Sequence, residues 1–273
     1  MKARFALVSA VPFAAFLAAG CPADDELTVG EAQDAVVEAS VASQGANIAE
    51  GSIELTTSFT LGAAAEDAAE EIRAFVTSQL PCAEVLRTGA SVTISYGAND
   101  DSCLFNGQNI TGSHTVTVSK NDESEVKVEH SWSQLSNGRV EVSGSADVTW
   151  DAEAKTRHVV HELEWTRLSD GRSGTGSGDR VQSALDGAWA NGVIVDGERG
   201  WDGDRGHWGL EIDDVEWRWV DPVPQSGSYQ LTTPANKQLT LTFERSDEDT
   251  IHVVVAGARR DFEFDVTSLG EVN

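Results

Sequence analysis

Several residue types are scarce in this sequence, and cysteine is the first of them. The 273 residues include three cysteines, six prolines, one methionine and two tyrosines. Basic residues are also few, because 19 Lys and Arg stand against 45 Asp and Glu. So acidic a chain, with no basic stripe or arginine-rich segment, repels phosphate backbones, which excludes nucleic-acid binding.

The start of the chain also lacks an apolar run of the roughly 20 residues that are needed to span a bilayer. The apolar stretch from Phe5 to Leu17 follows Lys2 and Arg4 and ends in small residues, which is the layout of a secretory signal. The next residues, LAAGC from Leu17 to Cys21, resemble the lipobox of bacterial lipoproteins. The resemblance implies that a peptidase removes residues 1–20 and that the Cys21 thiol carries a diacylglyceryl group. The alternative is an ordinary signal peptide with an incidental cysteine.

The residue after the lipobox cysteine bears on the destination of the protein. Pro22 resembles the outer-membrane class of lipoproteins, since in enteric bacteria an aspartate at that position retains the protein in the inner membrane. Two or three acyl chains make such anchoring effectively permanent. We therefore expect a lipid-anchored protein of the cell envelope, at the outer membrane.

Loss of residues 1–20 would make the net charge of the chain more negative. It would leave 17 basic residues against 45 acidic ones, a net charge of −28. The charge favours solubility, and the second interpretation is binding of a divalent cation, with calcium as the candidate cofactor.

Cys82 and Cys103 remain in a chain assigned to an oxidising compartment, and we expect them to form a disulfide. Without matching histidine spacing they are poor zinc ligands. The segment from Cys82 to Ser119 also resembles a pattern of secreted bacterial proteins, namely cysteine, strand, glycine turn, cysteine, glycine turn, strand. That resemblance implies no activity.

Helical periodicity precedes Cys82. Thr28 and Glu31 have capping-box spacing. The apolar face that follows comprises Ala32, Ala35, Val36 and Ala39. A second helix, ended by Pro81, has an apolar stripe of Ala65, Ala68, Ala69, Ile72, Phe75 and Val76. The stretch between the two helices, GSIELTTSFT, could be a strand.

From Ser91 onward the apolar period changes to two, which is typical of antiparallel sheet with one buried face. The alternating apolar positions are Val92, Ile94, Tyr96, Val126, Val128, His130, Trp132, Val140, Val142, Leu239, Leu241, Phe243, Ile251, Val253, Val255, Phe262, Phe264 and Val266. Asn137-Gly138 and Asp170-Gly171 predict hairpin turns. The sequence therefore predicts a mainly β fold: a large curled antiparallel meander sheet, open barrel or sandwich, with two N-terminal amphipathic helices packed on it.

The expected organisation follows these patterns. Residues 21–90 form a helical segment with the disulfide region from Cys82, residues 91–220 an antiparallel β region, and residues 221–273 a C-terminal β module of the same or a weakly separate domain. WSQLSNGR from Trp132 and WTRLSDGR from Trp165 indicate a duplicated hairpin. At Asn137-Gly138, a three-residue loop is favoured over a two-residue loop, because it pairs Val142 with Trp132 and Val148 with Val126 on one apolar face.

A tryptophan-rich stretch is the candidate ligand site. Rings beside Asp and Gly turns form glycan platforms. The candidate contacts are Trp201, Trp208, Trp217 and Trp219. Alternation around a phase shift at Asp213-Asp214 also describes a bulged strand that fills a core, and this interpretation is favoured.

Metal and catalytic motifs are incomplete. The loop from Asp202 resembles the start of an EF-hand but has Gly206 and His207 where a ligand and a glycine are required. The weak candidates for an irregular calcium site are Asp196, Glu198, Asp202 and Asp204. His158 and His161 lie three apart on a predicted strand and so point to opposite faces. GRSGTGSGD lacks both the nucleophile elbow and the phosphate loop.

The function we expect is a non-enzymatic structural or binding role in the cell envelope, with the membrane and an envelope protein or glycan as partners. A carrier with an apolar or glycan ligand in a cavity of the curled sheet is the alternative, and a carboxylate-based hydrolase is third. A pocket between helices and sheet would favour the carrier. A packed interior would favour the structural role, and carboxylates that converge in an open cleft would favour the enzyme. No catalytic residue is assigned.

Overall fold

The computed structural model describes residues 27–57, 59–61, 63–100, 102–105, 108–120, 126–219, 221–256, 261–268 and 271–273. The lipobox and Cys21 lie outside these residues. Two α-helices are described, α1 (Val29–Leu55) and α2 (Ala65–Gln79). None of the described helices combines the length and the apolarity that a bilayer crossing requires. The described strands are β1 (Glu84–Thr88), β2 (Ser91–Tyr96), β3 (Leu104–Phe105), β4 (Gln108–Asn109), β5 (Thr111–Lys120), β6 (Val126–Ser136), β7 (Val140–Asp151), β8 (Thr156–Arg167), β9 (Ser173–Ala184), β10 (Val193–Gly203), β11 (Gly206–Trp217), β12 (Ser226–Thr232), β13 (Gln238–Arg245), β14 (Thr250–Ala256) and β15 (Phe262–Thr267).

Helix α1 begins with the predicted capping box. The Thr28 hydroxyl accepts from the Glu31 amide at 3.2 Å, and the Glu31 carboxylate accepts from the Thr28 amide at 2.9 Å. The strand expected after Gly51 is wrong, because residues 51–55 continue the helix. Ile53 and Leu55 are buried on the helix as Ala49 is, so tertiary burial overrides a short pattern that fits either element.

Helix α2 also follows its predicted stripe, with Ala68, Ala69, Ile72 and Val76 buried. Phe75 is the exception, since it is exposed. The last turn closes before Pro81 through a bond from the Leu80 amide to the Val76 carbonyl at 2.8 Å.

The sheet confirms the predicted fold class. Thirteen strands form one antiparallel sheet in the order β1-β2-β5-β6-β7-β8-β9-β10-β11-β12-β13-β14-β15, and the sheet does not close into a barrel. Helix α1 lies against β6, β7 and β8 and also against the last strand, β15, so the sheet curls around the helix. Strands β11 and β12, on either side of Pro222 and Pro224, pair directly within this sheet.

One face of the sheet, the inner face, packs against the helices. Along β8 the buried positions alternate strictly with exposed ones, as a strand with one solvated face requires. A single apolar cluster joins both helices to strands from β2 to β15. We call the opposite, solvated side the outer face. The disulfide between Cys82 and Cys103 is formed, as predicted.

The register of the β6–β7 hairpin differs from the prediction. Val148 pairs with Val128 rather than Val126, and Trp132 pairs with Gly144. A bulge with Gln134 at φ 50° and a turn closed by Asn137 and Val140 produce this register. The observed register differs from the predicted one by two residues, so both registers keep the same face apolar. The apolar pattern could therefore not distinguish between the two registers.

The two similar hairpin sequences only partly share a structure. Trp132 and Trp165 both face inward, each opposite a glycine, Gly144 and Gly174. The β8–β9 turn is instead closed by a hydrogen bond in which the Arg167 amide donates to the Arg172 carbonyl at 2.7 Å. The β6 bulge buries Leu135, whereas the equivalent leucine of the second hairpin is exposed. The sequence repeat therefore does not carry over to the turns.

Candidate functional site

The glycine-rich segment that matched no catalytic motif forms the first half of β9. Gly174, Gly176 and Gly178 alternate there and face inward, opposite large side chains. A Cβ on Gly174 would lie 2.7 Å from Cζ2 of Trp165, and one on Gly178 would overlap the His161 ring. The glycines therefore make room for rings beneath α1. The period of two in GRSGTGSGD was the sequence signal for this role.

Helix α1 carries one buried and two largely buried carboxylates, Glu38, Glu50 and Glu54, that contact arginines of β8, β9 and the turn between them. Glu50 lies 2.9 Å from Arg180 Nη2 and 3.3 Å from Arg157 Nη2. Glu54 also contacts Arg157, and Glu38 contacts Arg172. Sequence reasoning missed these pairs, because partners so far apart in the chain leave no local pattern.

Arg157 is the centre of this network. It is 1% exposed, and its guanidinium lies 5.5 Å and 5.2 Å from the ring centroids of Trp150 and Trp189. Its Nε donates to Gln182, whose amide in turn donates to Glu50 at 2.8 Å. These contacts link α1 to β8 and β9, although Nη1 of Arg157 and Nε of Arg180 are buried without a hydrogen-bond partner among the described residues.

The two central carboxylates titrate in opposite directions. Burial opposes ionisation of Glu50, but Arg180 and Arg157 outweigh it and lower the pKa of Glu50 to about 2. Burial raises the pKa of Glu54 to about 7, because Arg157 is its one cation and Glu50 repels its charge. Glu54 is therefore partly protonated at neutral pH.

Three buried histidines complete the polar part of the inner face. Nε2 of His114 lies 3.0 Å from Nδ1 of His130, and the two rings stack. Burial lowers the pKa of His130 to about 3 and that of His114 well below its usual value. Burial and the nearby Arg180 lower the pKa of His161 to about 3. All three are neutral at pH 7.

The two histidines of RHVVHE point to opposite faces, as predicted. His161 is buried, whereas His158 is exposed and contacts Asp179 at 2.5 Å on the outer face. Within the described part of the chain, no three His, Cys, Asp or Glu side chains are grouped to hold a metal ion.

The tryptophan candidates do not form an exposed platform. Trp201 and Trp208 are 3% and 4% exposed and stack inside the core at 6.0 Å. Trp217 and Trp219 are partly buried against that core, and Trp219 Nε1 donates to the Trp189 carbonyl at 2.6 Å. Trp201 and Trp208 therefore lie in the core, as the favoured interpretation expected, whereas Trp217 and Trp219 are buried only in part.

The four acidic candidates are exposed but spread along β10 and its turn. Asp196 accepts from the Asp214 amide at 2.9 Å, where a bulge shifts the register. Asp202 contacts His207 at 3.1 Å, and Asp204 lies 3.8 Å from Arg172. Of the four, Glu198 borders a concavity on the outer face.

A groove crosses the strands on the outer face. It consists of two adjoining concavities of about 440 Å³ and 140 Å³, which share Glu211, Gln230 and Thr232. Gly200 and Gly209 pair across β10 and β11 and leave part of its floor free of side chains. The acidic residues that border it are Glu162, Asp179, Glu198 and Glu211.

Pairing between strands places three of these carboxylates side by side. Asp179 lies opposite Glu198, and Glu198 lies opposite Glu211. No ion pair between described residues involves Glu198 or Glu211.

The chain matches no protein-family model, no curated protein and no solved structure.

Proposed function

We propose that this protein is an outer-membrane lipoprotein, anchored through Cys21, with a non-enzymatic binding role in the cell envelope. The ligand site is the outer-face groove, and the ligand is a linear glycan that carries amino groups. The observation that carries the proposal is the position of the open groove on the outer face, while α1 occupies the inner face.

The occupied inner face argues against a carrier that holds its ligand inside the curled sheet. Glu50 and Glu54 of α1 are matched with Arg157 and Arg180 across the space that such a ligand would need. A ligand without negative charge that displaced α1 would bury Arg157 and Arg180 without their carboxylates, and loss of one partner of a buried ion pair costs about 3–5 kcal/mol.

The lining of the groove supports the ligand class. Besides the carboxylates, the groove is lined by Ser177, Gln230 and Thr232, whose hydroxyl and amide groups suit sugar hydroxyls. Like charges opposite each other on neighbouring strands destabilise a sheet, so Glu198 and Glu211 favour a ligand with positive charge. Because the groove crosses successive strands, it suits an extended chain rather than a compact molecule.

The binding test uses a soluble glucosamine hexamer and titration calorimetry. We expect the mature chain to bind the hexamer and Glu198→Gln/Glu211→Gln to bind it about ten-fold more weakly. The matched control is Glu244→Gln, an exposed outer-face carboxylate of β13 that does not border the groove. Absence of binding by the unaltered chain would refute the groove as a glycan site, and cleavage of the hexamer would refute a non-enzymatic role.

The anchor is tested separately. Labelled palmitate should be incorporated into the unaltered chain but not into Cys21→Ser. Equal labelling of both chains would overturn the lipid attachment and the outer-membrane location that depends on it.

A further inference from the structure

One end of the molecule contains the first half of α1 and four of the hairpin turns that the structure describes. The turns are those of β6–β7, β8–β9, β10–β11 and β12–β13. Lys237 lies 2.7 Å from Glu31, and Arg205 lies 2.7 Å from Asp34. The Leu168 amide donates to the Arg139 carbonyl at 2.7 Å, which joins two of the turns. We call this the tether end, because the chain enters the structure here.

The tether end is less acidic than the opposite end, although Asp100 and Asp261 are further exposed carboxylates there. The four turns and the first half of α1 carry the cations Arg139, Arg167, Arg172, Arg205 and Lys237 and the carboxylates Glu31, Asp34, Glu38, Asp170 and Asp204. Each of these carboxylates is within ion-pair distance of one of the cations. Arg139 is exposed and takes part in no ion pair between described residues.

The opposite end is acidic. Its connections carry the carboxylates Asp151, Glu153, Asp186, Asp221, Asp247, Glu248 and Asp249. The cations there are Lys155, Arg218 and Arg245. An anionic membrane repels this end more strongly than the tether end, so the charge distribution favours one orientation.

Two exposed apolar side chains also lie at the tether end. Leu168, at the tip of the β8–β9 turn, is 48% exposed, and Val29, in the first turn of α1, is 46% exposed. Apolar side chains beside cations are what an interfacial membrane contact uses.

The chain length outside the described residues limits the distance to the bilayer. Leu27 is the first described residue, and Cys21 lies six residues before it, which spans at most about 20 Å. We infer that the tether end faces the lipid surface, with Leu168 at the interface and Arg139 toward anionic head groups. This inference rests on the proposed attachment near Cys21, which fixes the end of the molecule that approaches the membrane.

The test holds the chain on vesicles without acylation. Residues 22–273, which include every described residue, carry an N-terminal hexahistidine tag and bind vesicles of phosphatidylglycerol, phosphatidylcholine and a nickel-chelating lipid. An environment-sensitive fluorophore is attached at Leu168→Cys or, at the opposite end, at Glu248→Cys, and nitroxide lipids serve as the quencher. We expect quenching of the label at 168 and little at 248.

A charge variant adds a second readout. Arg139→Glu should lower quenching at 168 by about two-fold or more, whereas Lys155→Glu, at the opposite end, should not. Equal quenching at 168 and 248, or stronger quenching at 248, would overturn the inference. Because the tag replaces the lipid, failure of acylation at Cys21 would appear in the palmitate experiment and not here.

Discussion

Trp165 occupies the space beside Gly174, since a Cβ on Gly174 would lie 2.7 Å from Cζ2 of the indole. The other side of Trp165 meets α1, where a Cβ on Gly45 would lie 3.2 Å from the Trp165 Cβ. The ring is therefore held between a helix and a neighbouring strand, each of which has a glycine at the contact. Close approach of α1 to the sheet depends on both glycines.

We predict that Gly174→Ala lowers the free energy of unfolding by about 2 kcal/mol or more, because the new methyl group would lie 2.5 Å from the Asp202 carbonyl oxygen and 2.7 Å from the Trp165 ring. Urea unfolding at neutral pH measures the change. Gly203→Ala is the control, since a Cβ there meets nothing within 4 Å. Equal stabilities for the two variants would contradict the close packing of Gly174 against Trp165 and the Asp202 backbone.

The two central glutamates of α1 should respond differently to neutralisation. Glu50→Gln leaves the buried Arg157 and Arg180 short of a negative charge, and we expect a loss of about 3 kcal/mol. Glu54→Gln should change the free energy of unfolding by less than about 1 kcal/mol near neutral pH, because burial has already raised the pKa of Glu54 to about 7. Urea unfolding of both variants at the same pH checks this order, and a larger cost for Glu54→Gln would be inconsistent with it.

Stability should fall on mild acidification. Burial lowers the pKa values of His130 and His161 to about 3 and that of His114 well below its usual value, so the unfolded chain takes up protons first as the pH falls through about 6.5. Glu54 acts in the opposite direction, because its raised pKa lets the folded state hold a proton between about 4.5 and 7.

The destabilising effect of the three histidines is larger than the stabilising effect of Glu54. We therefore expect the free energy of unfolding to fall by about 2 kcal/mol between about pH 6 and pH 5. Urea unfolding across this range measures the slope of the free energy of unfolding against pH. In His114→Gln/His130→Gln the slope should nearly vanish, because His161 and Glu54 then roughly cancel. An unchanged slope in that variant would show that other groups cause the acid sensitivity.

The disulfide should contribute about 3 kcal/mol, since it closes a loop between residues 21 positions apart. The double variant Cys82→Ala/Cys103→Ala should unfold at correspondingly lower urea than the oxidised parent chain. Reduction of the parent chain should lower its stability to a similar extent and leave the double variant unaffected. Sensitivity of the double variant to reductant would point to a cause other than this bond.

Local patterns predicted most elements, and the failures are specific. The capping-box spacing of Thr28 and Glu31 predicted the start of α1, and the alternation from Val92 to Tyr96 predicted β2. Ile53 and Leu55 were misjudged, because a short apolar pattern fits helix and strand alike and only burial against the sheet decides.

The sites depended on longer distances in the chain. The outer groove arises where Gly200 and Gly209 become partners and where Asp179, Glu198 and Glu211 fall into one row across three strands. A register different by two residues would preserve the faces but break up this row. Patterns in single strands therefore could not predict it.

The sequence by itself determined most of the helices and strands, though not the helical state of residues 51–55, and it determined which face of the predicted strands is apolar and the large excess of negative charge. Those properties depend on neighbours a few residues apart, where spacing alone sets direction. The tertiary structure alone decided that α1 fills the curled sheet, that Glu50 meets Arg157 and Arg180, and that the open groove lies on the outer face. Those properties depend on register and on ion pairs between residues more than 100 positions apart, which a chain selects only when the whole sheet is assembled.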